Sequence, residues 1–176
     1  MCIIEPSPIL ETRRLLLRAP VIEDADRMTE LAGDWEVARM LGRMPHPYLP
    51  EHAEEFLGLC QAMDPATDRV FAIELEDEGF IGVIGFSPMG SETELGYWIG
   101  RPYWGRGLVS EAADAALAWA KRVWRRRHIV AGHFTDNPAS GRVLCKAGFL
   151  YTGRVELRDC RARGEPVPTR MMVWLA

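Results

Sequence analysis

The sequence has little of what would mark a disulfide frame, a metal centre or a membrane protein. Only four cysteines occur in 176 residues: Cys2, Cys60, Cys145 and Cys160. None forms a C-x-x-C pair and no histidine stands at metal-ligand spacing from them, so no bound metal is expected. Scattered thiols of this kind fit a reducing compartment and predict a cytoplasmic protein. The opening M-C-I-I-E-P-S-P has no basic stretch followed by an apolar core, which argues against a secretory signal. No apolar run approaches the roughly 20 residues of a membrane span, so no membrane partner is expected. Excess positive charge is missing too: 21 Lys and Arg against 25 Asp and Glu leave a net charge of −4. That balance disfavours nucleic-acid binding through phosphate neutralisation. His46, His52, His128 and His133 lack a nucleophile-and-acid pattern around them, which excludes Ser-His-Asp and Cys-His chemistry. Repeats, low-complexity tracts and linkers are absent, and the length suits one domain over residues 1–176 with a core of its own.

What is present is organised around residues 93–124, T-E-L-G-Y-W-I-G-R-P-Y-W-G-R-G-L-V-S-E-A-A-D-A-A-L-A-W-A-K-R-V-W. A β-rich run over 94–99 leads into a glycine-bearing turn over 100–107, and a helix over 108–126 follows directly. Gly105 and Gly107 allow backbone to approach a ligand without a Cβ in the way. The helix start supplies free amide N–H groups and the positive dipole end at the same spot. Strand, glycine turn and helix N-terminus together make a pyrophosphate-binding arrangement.

Around it the pattern predicts a mixed α/β layout. Residues 1–12 read as a lead-in broken by Pro6 and Pro8, and residues 13–18 as a first strand stopped by Pro20. Apolar spacing predicts helices over 23–32, 35–41 and 51–63. Strands at 70–75 and 80–86 form a hairpin across the acidic turn 76–79, and a second turn at 88–92 precedes the central strand. After the long helix come a short strand at 129–133 and a helix at 137–147, with Pro138 near its first position and Gly148 at its stop. Strands at 149–158 and 169–175 complete the chain.

The glycine turn lacks the Lys that a P-loop requires after its last glycine. It also fits a dinucleotide fingerprint poorly, because Ser110 stands at the third position and Arg125, Arg126 and Arg127 stand where an acid belongs. The better match is E-L-G-Y-W-I at 94–99, Y-W-G-R-G-L-V-S-E-A at 103–112, N-P-A-S-G-R-V-L-C-K-A-G-F at 137–149 and L-E-T-R-R-L-L-L-R at 10–18. In this order the four blocks resemble the GNAT superfamily of acyl-CoA-dependent N-acyltransferases, and within it the RimJ/RimL type that acetylates ribosomal-protein N-termini. The resemblance implies a GNAT fold: a mixed, mostly antiparallel sheet flanked by helices, with splayed strands forming the acyl-CoA site. It implies acetyl-CoA as cosubstrate, with Trp98 and Ile99 ending the strand that pairs with the pantetheine arm. Gly105, Arg106, Gly107, Leu108, Val109 and Ser110 would surround the pyrophosphate, which needs several convergent N–H donors. Arg142 and Lys146 would approach the phosphates. The family's usual Gln or Arg three residues before the first glycine is Pro102 here, which removes donors at the mouth of the turn.

Acetyl transfer to an amine requires a base for the amine and a donor for the departing thiolate. The resemblance places a carboxylate on the central strand near the acceptor, which here is Glu94; Glu92, in the preceding turn, ranks below it. Many relatives use a tyrosine on the last helix for the thiolate, and Leu144 occupies that position. The RimJ/RimL type instead shows N-x-x-S, matched by Asn137 as a polar contact to the pantetheine and Ser140 as donor to the sulfur. Helix capping favours the same residue types for its own reasons. No activated nucleophile is visible, so transfer is expected to be direct. The acceptor expected is a protein or peptide N-terminus, with small amines and an acyl-CoA sensor without turnover as alternatives. Relatives are commonly homodimers, and the segment around Tyr48 is expected at the acceptor site. Trp35, Trp98, Trp104, Trp119 and Trp124 are read as core, and the basic run 125–127 as a helix C-terminus complementing its dipole.

Overall fold

A computed structural model describes residues 8–176. In chain order the elements are β1 (Leu10–Glu11), β2 (Leu15–Arg18), α1 (Ala25–Ala32), α2 (Trp35–Ala38), α3 (Pro50–Ala62), β3 (Arg69–Leu75), β4 (Gly79–Met89) and β5 (Glu92–Ile99). Then follow α4 (Leu108–Arg122), β6 (His128–Phe134), α5 (Pro138–Lys146), β7 (Leu150–Cys160) and β8 (Glu165–Leu175). Single 3-10 turns occupy Ile22–Asp24 and Arg101–Tyr103. The strands form one eight-stranded sheet in the order β1-β2-β3-β4-β5-β6-β8-β7. Every neighbouring pair is antiparallel except β5 and β6, which run parallel and share a single register pair, Glu94 with Val130.

Several boundaries differ from the sequence pattern, each for a local reason. The strand expected over 13–18 begins only at Leu15, because the Thr12 hydroxyl accepts the Leu15 amide at 2.9 Å and turns the chain between β1 and β2. The lead-in expected over 1–12 therefore contains β1, while residues 1–7 lie outside the described part. The turn expected over 88–92 shrinks to Gly90 and Ser91, and Pro88 pairs with Thr93 inside the β4–β5 ladder. There β3 has already ended at the Arg69–Phe86 pair, so one flank of Pro88 meets no strand and its missing N–H is tolerated. Helix α4 stops at Arg122 instead of Arg126: Arg125 takes a left-handed φ of 60°, and the Arg126 amide bonds back to the Ala120 carbonyl. The basic run thus lies past the helix, with the Arg126 guanidinium 4.2 Å above the Trp124 ring.

Helix α4 packs on the sheet through Ala112, Ala116 and Ala120, spaced four apart and fully buried, so small side chains let the helix lie close. Beside them Phe71, Phe86, Trp119 and Trp124 form an aromatic cluster with centroids 5.5–6.3 Å apart. Trp35 and Trp104 do not join the core; they are 41% and 44% exposed.

The β4–β5 pairing carries one position with no room for a side chain. A Cβ on Gly82 would stand 2.3 Å from the Trp98 carbonyl oxygen and 2.8 Å from the Ile99 Cα, both backbone atoms of the facing strand. Gly82→Ala must therefore prise β5 away from β4, and an overpacking cost of about 3 kcal/mol is expected. Urea denaturation would show this as a lower midpoint with an unchanged slope.

Candidate active site

The single β5–β6 pair makes Glu94 the apex of a fork. Beyond it β5 pairs only with β4, and β6 only with β8. The gap opens into a cleft of about 490 Å3. Tyr97, Trp98 and Ile99 of β5 line one wall, and residues 136–140 with Arg142, Val143 and Lys146 line the other. Val37, Met40 and Leu41 close one end; Tyr103, Trp104, Gly105 and residues 107–110 close the other. This is the splay that the resemblance to the GNAT superfamily implied. Tyr48, expected at the acceptor site, is not among the residues that line this cleft; it packs half-buried against the core, where burial pushes its hydroxyl up to about 12. The end wall comes from α2 and its exit, which are strapped from below: Arg163 donates to the Arg39 carbonyl at 2.7 Å and the Arg161 amide to the Gly42 carbonyl at 2.9 Å.

The glycine turn is shaped by backbone conformation. Gly105 and Gly107 have φ of 73° and 74°, a region where L side chains are strained, and a Cβ on Gly105 would meet nothing within 4 Å. No side chain caps α4, so the amides at its start remain free to meet an anion. Arg106 is the member of the turn that does not line the cleft. Its guanidinium lies 3.5 Å from Glu78 and over the Tyr103 ring, and its carbonyl accepts Arg14 at 3.0 Å. Arg14 also grips Glu111 at 2.7 Å. Burial raises the Glu111 carboxyl, but the hydrogen bonds from Thr12 and Arg14 outweigh it and hold the group below its usual range.

On the opposite wall, Asn137 caps α5: its Oδ1 accepts the Ser140 amide at 3.1 Å. The capping expectation for Asn137 thus describes its bond in this structure. The Ser140 hydroxyl takes no part in the cap. It lies 2.9 Å from the Tyr97 hydroxyl, which is also 3.1 Å from the Ser140 carbonyl oxygen. Tyr97 received no role from the sequence, although strand alternation sets it on the face opposite Glu94, Gly96 and Trp98. Its position on a buried strand face beside the glycine turn was the available signal. Desolvation by burial raises its hydroxyl well above the ordinary tyrosine value, against a smaller lowering by Ser140, so it stays protonated.

Glu94 does not line the cleft wall shared by these residues; one carboxylate oxygen is bonded to the Arg158 guanidinium of β7. Glu92 faces His128 at 3.5 Å. The Ile99 carbonyl, expected at the pantetheine, accepts the Trp104 indole N–H at 2.9 Å, which explains why that indole sits at the cleft rim. Leu144 is buried in the core. Arg142 and Lys146 stand exposed on the ridge between the cleft and a second cavity floored by His133 and Tyr151. The one carboxylate that lines the cleft among the described residues, Asp136, is held by Arg163 at 2.8 Å and lies 3.5 Å from Arg39. Arg163 keeps its carboxyl below the usual range. Among the described residues no cysteine lines the cleft, no cluster of His, Cys, Asp or Glu is arranged for a metal ion, and no helix is long and apolar enough to cross a membrane.

Comparison with known proteins places this geometry. A family model described as acetyltransferase (GNAT) domain matches residues 14–150. An N-acetyltransferase of Bacillus subtilis, YoaA, is 32% identical over 151 residues, covering 83% of this chain and 85% of the relative. The [ribosomal protein uS5]-alanine N-acetyltransferase of Escherichia coli is 29% identical over 161 residues, covering 84% and 81%. The solved structure of spermidine N-acetyltransferase from Vibrio cholerae, in complex with CoA and spermine, superposes with a TM-score of 0.76 at 19% identity. That alignment covers 93% of this chain and 96% of the solved one.

Proposed function

From the premise that the chain belongs to the GNAT family of N-acetyltransferases, we propose that it acetylates the α-amine of a protein or peptide N-terminus. Acetyl-CoA is the donor that the family uses, and the residues present fit it. The glycine turn and uncapped α4 start suit a diphosphate, with Arg106 contributing only backbone. Past Glu94 the β6-facing edge of β5 meets no strand, which suits an extended arm at Trp98 and Ile99, with the Ile99 carbonyl already accepting the Trp104 indole. Arg142 and Lys146 supply positive charge at the exit for its phosphates.

The chemistry is divided between the two walls of the fork. The amine nitrogen bonds to the acetyl carbon, its proton passes to a base, and the carbon–sulfur bond breaks to release a thiolate. Glu94 at the fork apex is the base; with one oxygen bound to Arg158, the other receives the proton directly or through water. An α-amine has an ordinary pKa of about 8 against about 10.4 for lysine, so the base has a modest task. Ser140 donates to the thiolate and Asn137 holds the helix end that presents it. Transfer is direct: the Cys60 thiol is pushed up to about 12 by burial, and Cys145 lies on the other side of α5.

The observation that carries the acceptor assignment is the cleft's charge. Among the described residues its single carboxylate, Asp136, is already paired with Arg163, so a polycationic amine finds no free counter-charge from them there. The uS5-alanine relative points the same way. Thiol release from acetyl-CoA, followed against Ser- and Ala-starting peptides and against polyamines and aminoglycosides, tests the assignment. Turnover on the peptides with little on the polyamines is expected; turnover confined to the small amines contradicts it.

A further inference from the structure

Ser140 has one hydroxyl hydrogen and must aim it at a sulfur that carries charge only late in the reaction. What sets its direction comes from another strand. Tyr97 rises from β5, crosses the fork, and ends with its hydroxyl 2.9 Å from Ser140 Oγ and 3.1 Å from the Ser140 carbonyl oxygen. The two residues lie 43 positions apart in sequence, and each belongs to a different wall of the cleft.

We propose that Tyr97 is a positioning residue that donates its hydroxyl hydrogen to Ser140 Oγ and so frees the serine hydrogen for the departing thiolate. The inference rests on the reading of Ser140 as the thiolate's donor. Its logic is a count of hydrogens. If the serine donated to Tyr97, the tyrosine hydrogen would go to the Ser140 carbonyl and nothing would remain for sulfur. When thiolate charge develops, the tyrosine hydrogen swings from the carbonyl to Oγ, both acceptors being within reach of one rotation about its C–O bond. The serine then accepts from one side and donates to the other, and a hydroxyl that accepts becomes a stronger donor. No proton changes owner, and no bond other than hydrogen bonds forms or breaks. The tyrosine suits this task because burial keeps it protonated over the working pH range.

The test is a cycle of Tyr97→Phe, Ser140→Ala and the double variant, with kcat and the acetyl-CoA KM measured for each. Tyr97→Phe is expected to lower kcat about five- to tenfold with KM within twofold, and the double variant is expected to match Ser140→Ala alone. Losses that multiply in the double variant, or a wild-type kcat for Tyr97→Phe, overturn the proposal. A silent Ser140→Ala beside a slow Tyr97→Phe overturns it as well, and uniquely identifies the Ser140 reading as the failed step. Should Tyr97→Phe fold poorly, 3,5-difluorotyrosine at position 97 keeps the shape and makes a more acidic, stronger donor. Relay through Ser140 predicts an altered kcat and a new alkaline limb in the pH profile that Ser140→Ala abolishes. A purely structural tyrosine predicts an unchanged profile, which contradicts the proposal.

Discussion

Ser140→Ala is expected to lower kcat roughly 10- to 150-fold while leaving the acetyl-CoA KM nearly unchanged. The range is that of one hydrogen bond to a charged group, about 1.5–3 kcal/mol, expressed as a rate. KM is spared because the thiolate exists only as the carbon–sulfur bond breaks, so the hydroxyl's stabilisation is not felt when the thioester binds. The structure makes this variant informative. The cap of α5 runs from the Ser140 backbone amide to Asn137 Oδ1 and survives in alanine. Alanine is also a good helix former, so a folding defect is not expected. Asn137→Ala, by contrast, removes the cap itself. An equal fall in kcat and rise in KM for Ser140→Ala would point to a binding contact; an unchanged kcat would remove Ser140 from the chemistry.

Gly107→Val is expected to raise the acetyl-CoA KM about 100-fold. Valine must enter the left-handed region at φ 74°, which costs roughly 1–2 kcal/mol and is worst for a β-branched residue. Relief of that strain rotates the peptide planes that direct the first amides of α4, and losing two charge-assisted bonds at about 1.5 kcal/mol each accounts for the factor. The nearest side-chain atom to a Cβ there is an Arg14 guanidinium nitrogen at 3.8 Å, so crowding is minor and the effect is conformational. Gly153→Val is the matched control. Gly153 has φ 82° and open space around its Cβ, and it lies at the irregularity of β7, outside the residues that line the cleft. Comparable loss of thermal stability in both variants, with the KM defect confined to Gly107→Val, is the expected pattern. Equal KM values would mean that the turn does not hold the diphosphate.

The regions behind these effects differ in how legible they are in the sequence. The stretch from Glu94 to the end of α4 reads clearly because its signals are local: a strand pattern, two glycines and then helical spacing. The cap and stop of α5 read for the same reason. What did not read is long-range. Nothing in the sequence pairs Glu94 with Arg158, which lies 64 positions later, or Tyr97 with Ser140. These meet only because β6 runs parallel to β5 for one residue pair and then departs. The misplaced tryptophans show the same limit. Hydrophobicity measures what an indole gains from burial, yet Trp104 spends its N–H on the Ile99 carbonyl at the rim of the cleft. The start of β2 shows the same limit on a smaller scale, since one hydroxyl, that of Thr12, is enough to turn the chain.

Direct passage of acetyl, within the β5–β6 fork, to a peptide α-amine is the step on which the proposed function turns. The most direct measurement uses a Ser-starting peptide that also contains an internal lysine. After acid quenching during turnover, mass spectrometry locates the acetyl group on the peptide fragments and on the intact enzyme. Acetyl is expected on the peptide's α-amine and none on the enzyme. Acetyl on the lysine side chain would contradict the assigned acceptor, and acetyl retained on the protein would contradict direct transfer.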